Sequence, residues 1–155
     1  TSIDPITGNA TAFGKSNVVA QTATVQGGLR FITESQKDSA RVKMRDIIQR
    51  NLPQTTAEIS FTDSYPAMPP TAENEALLAQ LNQVSLDLNQ GTVLAYDPGK
   101  RGAADTSFVA NYVACLDGLG TMGTGAHTPQ ETVNLKTIEA LTQRTAILIY
   151  RLLHP

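Results

Sequence analysis

The sequence predicts an α+β fold built in two units, and three observations carry that expectation. Apolar residues alternate between Asn17 and Phe31, recur at helical spacing from Ala40 to Leu52, and alternate again over Ala57, Ile59 and Phe61. Strand, helix and strand therefore follow one another. The segment Tyr65-Pro66-Ala67-Met68-Pro69-Pro70 can neither pair as a central strand nor continue a helix, which places a boundary there. Beyond it, two further helical patterns enclose two glycine-rich loops. The units are expected at residues 1–66 and 67–155.

In the first unit Val19, Ala23, Val25, Leu29 and Phe31 form the buried face of a strand, interrupted at Gly27-Gly28 by a bulge or a close backbone approach. Arg30 falls on the face opposite Leu29 and Phe31. Thr33 and Gln36 read as a capping box, opening a helix whose stripe is Ala40, Met44, Ile47, Ile48 and Leu52, with Pro53 closing it. Lys37, Arg41, Lys43, Arg45 and Arg50 make its other face, expected to be solvated surface.

In the second unit Thr71 caps a helix with the stripe Leu77, Leu78, Leu81, Val84 and Leu88, ended by Asn89-Gln90-Gly91. Thr92 to Tyr96 is expected as a strand. The turn-rich run Asp97-Pro98-Gly99-Lys100-Arg101-Gly102 leads to a short helix carrying Phe108, Val109, Tyr112 and Val113. A second loop holds Gly118, Gly120, Gly123 and Gly125. The last helix is expected to open at Thr128, with Pro129 in first position and Glu131 completing the box. Its stripe runs through Leu135, Ile138, Leu141, Ile147 and Ile149 to Leu153.

Composition narrows the function. With 41% hydrophobic and 17% charged residues the chain can bury a core. A net charge of -2 gives no pull toward nucleic acid or an anionic membrane, and the absence of Trp argues against a base-stacking surface. Cys115 is the single cysteine, which excludes an internal disulfide and a zinc site built on several thiolates. The longest apolar run, Ala146 to Tyr150 extended by Leu152 and Leu153, is too short to span a bilayer. Thr1 opens the chain without a Met, a basic n-region or an apolar h-region. No targeting signal is read from it, and the compartment (periplasmic, secreted or cytoplasmic) stays open.

A complete active site is not expected. A catalytic zinc needs about three protein ligands, whereas the chain has two histidines, His127 and His154, and neither H-x-D nor H-E-x-x-H spacing. Cys115 could pair with His127, but it lies in an apolar stretch that suits an inert buried thiol. No serine sits in a G-x-S-x-G elbow. His127 follows the glycine-rich loop, whose backbone is free to approach something closely; the alternative is an imidazole satisfied by a backbone carbonyl. His154, next to last, is assigned no role.

Three stretches carry a resemblance. Asn17-Val18-Val19-Ala20 followed by Gly27-Gly28-Leu29-Arg30 resembles the lid strand of the zinc-dependent glutamate carboxypeptidase and aminoacylase family. Arg101-Gly102-Ala103-Ala104-Asp105 resembles that family's G-x-S/A-D segment, and Gly125-Ala126-His127-Thr128-Pro129-Gln130-Glu131 its closing G-x-H-x-x-x-E element. They occur in the family's order and span nearly the whole chain.

The resemblance implies a partial ferredoxin-like lid, which often mediates dimerisation, followed by the C-terminal part of an α/β catalytic domain. It makes His127 a ligand of one of two zinc ions, and Asn17 and Arg30 substrate contacts. A guanidinium fork suits a free carboxylate, and an amide can donate to a carbonyl oxygen as charge develops there. Asp105 matches a position close to the site, or else caps the short helix after it. The family's usual aspartate two residues before the arginine is Gly28 here, so the position that commonly braces the arginine carries no side chain.

The family's H-x-D pair, bridging aspartate and paired glutamates precede the lid, and none is found in this sequence. The chain is thus expected to be a C-terminal piece, inactive alone, whose parent hydrolyses a peptide or N-acyl amino acid with a free carboxylate. The expected partners are that substrate, the missing N-terminal half and a second copy in a homodimer. The alternative is a non-catalytic lid-derived dimerisation or assembly module.

Overall fold

The computed structural model describes residues 2–3, 10–11, 20–100 and 102–155. In chain order the elements are β1 (Ser2–Ile3), β2 (Ala10–Thr11), α1 (Glu34–Ile48), α2 (Ala72–Asp87), β3 (Gly123–Thr124), β4 (Thr132–Val133) and α3 (Lys136–Leu153). Two 3-10 turns, Pro98–Lys100 and Asp105–Phe108, lie between α2 and β3. β1 pairs antiparallel with β2, and β3 with β4, each pair a small sheet of its own. The architecture is α+β in this plain sense, helices with small antiparallel sheets.

The core lies between α2 and α3. Leu81 and Val84 of α2 meet Leu148 of α3, with Leu78, Leu88, Val93, Leu116, Leu119 and Ile147 packed around them. A polar seam runs beside it. The buried Ser85 hydroxyl donates to the Gly91 carbonyl at 2.7 Å and accepts from Arg144 at 3.2 Å. The Gln90 amide donates to the Ala140 carbonyl at 2.9 Å, and Arg151 pairs with Asp87 at 2.6 Å. Thr71 caps α2 as expected, accepting from Asn74 N–H at 3.2 Å.

The capping box of α1 forms as the sequence predicts: Gln36 N–H donates to the Thr33 hydroxyl at 3.2 Å, and Thr33 N–H to the Gln36 side chain at 3.4 Å. The basic face departs from expectation. The Lys37 and Arg41 side chains are only 14% and 15% exposed, and both pair with Asp63. Arg41 donates to both Asp63 oxygens, at 3.3 and 2.6 Å, while its guanidinium lies 5.0 Å from the Phe61 ring centre. Arg45 lies over the same ring at 5.1 Å. Long cationic side chains bury their stems on apolar surface, and here they fasten α1 to the segment around Phe61 and Asp63.

Three expected strands do not form ladders. Residues 20–31, 57–61 and 92–96 carry no sheet pairing, and Val25 is 93% exposed. Alternation marks a face that a sheet can bury; it supplies no neighbouring strand, and among the described residues none lies alongside. Val93 is instead held by its N–H donating to the Asn82 side chain at 2.8 Å. The short helix near Phe108 is reduced to a 3-10 turn. The last helix opens at Lys136 rather than Thr128, because β-branched Thr132-Val133 pairs with Gly123-Thr124 first. Thr128 caps a turn in that hairpin, donating to Gly125 O at 2.7 Å and accepting from Gln130 N–H at 3.2 Å. In α3 the core-facing residues are Leu141 and Leu148, while Ile138 and Ile149 are exposed.

Candidate functional site

A cavity of about 670 Å³ lies where four runs of chain meet: Gly27–Ile32, Ser60–Met68 and the two stretches around Pro98 and Ala103. Arg30 stands in its wall, together with Phe31, Arg41, Phe61, Asp63, Tyr65 and Ser107. Gly27 and Gly28 line it with bare backbone, and a Cβ at either would meet nothing within 4 Å. Cationic, hydroxyl and apolar groups thus converge on one hollow, the composition of a small-molecule site.

Charged groups in its wall and beside it are held in place. Arg41 and then Lys37 hold the Asp63 carboxyl below its usual range through hydrogen bonds. Lys37, followed by the Ala67 N–H, does the same for Glu34. The Tyr65 hydroxyl donates to Asp105 at 2.9 Å, and that carboxylate pushes the phenol's pKa up. Asp105 does not cap the turn it opens: the cap position is Ala104, with no side-chain hydrogen bond. Two buried polar atoms of the wall, Arg41 Nε and Ser107 Oγ, have no hydrogen-bond partner among the described residues.

His127 stands apart from the cavity lining, on the loop joining β3 to β4. Its backbone is left-handed, φ +63°, like Gly125 at +69°. Glycine is required at 123 and favoured at 125: a Cβ at Gly123 would collide with the Thr132 carbonyl, and one at Gly125 would meet the Gln130 carbonyl at 2.9 Å. The imidazole is exposed and makes no hydrogen bond with a described residue, so no backbone carbonyl satisfies it.

The other candidates divide. Asn17 lies outside the described residues. Cys115 is buried, its thiol donating to Val113 O at 3.4 Å, the packing role expected of it. His154 stacks on Tyr150 at 4.4 Å and contacts its carbonyl at 2.9 Å. Tyr65, Asp63 and Ser107 join the cavity without having been singled out; the Tyr-Pro pair opening the stiff segment was the one available signal.

Among the described residues no group of three or more His, Cys, Asp or Glu could hold a metal ion. Taken by themselves they do not fit a metal centre, and His127 offers one donor. The model of peptidase family M20/M25/M40 matches residues 6–151. No curated protein and no solved structure matches the chain. Members of the matched family are hydrolases of the metallopeptidase type and generally metal-dependent. The match runs through both the cavity and the His127 hairpin, and on it the chain belongs to peptidase family M20/M25/M40.

Proposed function

We propose that this chain is the carboxylate-recognition part of a zinc carboxypeptidase of the glutamate carboxypeptidase type. The observation that carries the reading is Arg30 in the wall of a cavity bordered by bare glycine backbone. A peptide or N-acyl amino acid would enter with its free carboxylate toward that guanidinium, which can bind both oxygens. Asn17 would donate to the scissile carbonyl, and Asp105 would stand at the cavity's edge. His127 would contribute one imidazole to a two-zinc centre whose other donors, and the general base, belong to an N-terminal half. Bound zinc would supply the activated water. The chain would divide at residues 66 and 67 into a lid remnant and a catalytic remnant.

Arg30→Ala tests the reading in the intact enzyme. It should weaken free-acid substrates about tenfold and leave their amides unchanged; equal effects on both would remove Arg30 from carboxylate recognition. Zinc titration of the 155-residue chain should show only weak binding, since one imidazole cannot close a site.

A second reading, a dimerisation module without catalysis, draws on α1. The helix has no fully buried residue, and Val42, Ile47 and the following Leu52 are exposed. Val42→Glu with Ile47→Lys should then halve the particle mass in light scattering, and an unchanged mass would remove this reading.

A further inference from the structure

The cavity has a fastener. Ser64–Met68 forms one side and Gly102–Ala104, with Ser107, another. These runs are about forty residues apart, and three contacts tie them. The Tyr65 hydroxyl donates to Asp105 Oδ1 at 2.9 Å, the Tyr65 ring meets that of Phe108 at 5.2 Å, and the Thr106 hydroxyl donates to Met68 Sδ at 3.5 Å. From the opposite side the buried Ala67 donates its N–H to Glu34 at 2.7 Å. Pro66, Pro69 and Pro70 restrict bending of the run, so it shifts as one piece between its two fastenings.

The contacts on the Asp105 side are unequal. A thioether is a weak acceptor, and a ring contact tolerates sliding. The hydroxyl–carboxylate bond is charge-assisted and directional, so it sets the distance between the two walls. Asp105 does no capping work that would otherwise explain its carboxylate.

We infer that Asp105 is a positioning residue: through the Tyr65 hydroxyl it holds the Pro-rich run against the 102–108 loop and so sets the width of the substrate cavity. The inference rests on the carboxylate reading of that cavity and adds a role for Tyr65 in its wall and for Asp105, next to the lining residue Ala104.

Three variants of the intact enzyme test it. Tyr65→Phe keeps the ring on Phe108 and loses the hydroxyl; Asp105→Ala loses the acceptor; Asp105→Asn keeps an oxygen that can accept. Tyr65→Phe and Asp105→Ala should each raise KM for a free-acid N-acyl amino acid about two- to tenfold, with kcat unchanged. The double variant should be no worse than either single one, and Asp105→Asn should restore most of the loss. Hydrogen exchange at the Ala67, Ser107 and Val109 amides should quicken in Tyr65→Phe.

Additive effects in the double variant, or Asp105→Asn as damaging as Asp105→Ala, would overturn the inference and make the carboxylate a direct contact. The Arg30→Ala comparison separates the two failures. If Arg30→Ala shows no free-acid preference, the carboxylate reading falls, and the exchange measurement alone decides the fastener. Unchanged exchange in Tyr65→Phe would then refute it.

Discussion

Replacing His127 by glycine should stabilise the protein while removing the candidate metal ligand. The residue stands at φ +63°, where an L side chain costs about 1–2 kcal/mol. The loop around it is tied down: Thr128 N–H donates to Gly125 O at 3.0 Å, and Glu131 N–H to Thr128 O at 3.1 Å. The exposed imidazole makes no hydrogen bond with a described residue, so its loss forfeits little. Glycine relieves the strain but gives back about 0.5–1 kcal/mol in chain entropy, a net gain of about 0.5 kcal/mol. Alanine keeps the strain, so His127→Gly should exceed His127→Ala by the same margin, about 0.5 kcal/mol.

Urea unfolding of the intact protein, followed by far-UV circular dichroism, reads this as a midpoint difference of about 0.25 M for a slope near 2 kcal/mol/M. Both variants should lose most activity. A glycine variant that unfolds before the alanine variant would show that residue 127 is not held left-handed, and the reasoning would fail.

Other perturbations have defined outcomes. Leu81→Ala, in the α2–α3 core, should cost about 3 kcal/mol in the same urea assay. Ser85→Ala strips the Gly91 carbonyl of its donor and Arg144 of an acceptor, and should cost about 1–2 kcal/mol. The Asp63 and Glu34 carboxyls titrate below their usual range. Their contribution is therefore present above the unfolded carboxylate pKa, near 4, and is lost as pH falls through the lower folded values. Amide protection along α1, taken relative to the intrinsic exchange rate at each pH, should fall only below about pH 4, and Asp63→Asn should remove part of that pH dependence.

Local signals were legible where the physics is local. The Thr33–Gln36 box, the Thr71 cap and the Leu81–Val84 stripe need only neighbours within a few residues, and all three form. Strands at 17–31, 57–61 and 92–96 depend on a partner that alternation does not name. Thr128-Pro129 carries a good helix signal, yet β-branched Thr132-Val133 and two left-handed residues turned that run into a hairpin. The α3 stripe was right at Leu141 and Ile147 but took Ile138 and Ile149 in place of Leu148, because apolar residues occupy more than one side of the helix and only the α2 partner picks the side. For the candidate site, Arg30 and Asp105 could be named from short motifs, but Tyr65 reaches Asp105 across forty residues, a separation no local pattern encodes.

The Glu34 carboxylate serves the first turn of α1, the Lys37 ammonium and the Ala67 N–H together. Halfway along the helix Arg41 is clamped to Asp63, seven residues from Glu34 and seven from Ile48, or about 10 Å either way. Lys37 shares the Asp63 carboxylate and Arg45 lies over the Phe61 ring, so the helix is held on both sides of Arg41 too. The first turn of α1 and the cavity wall at Ala67 therefore share one carboxylate, so a change at Glu34 reaches both the ammonium of Lys37 and the lining of the hollow.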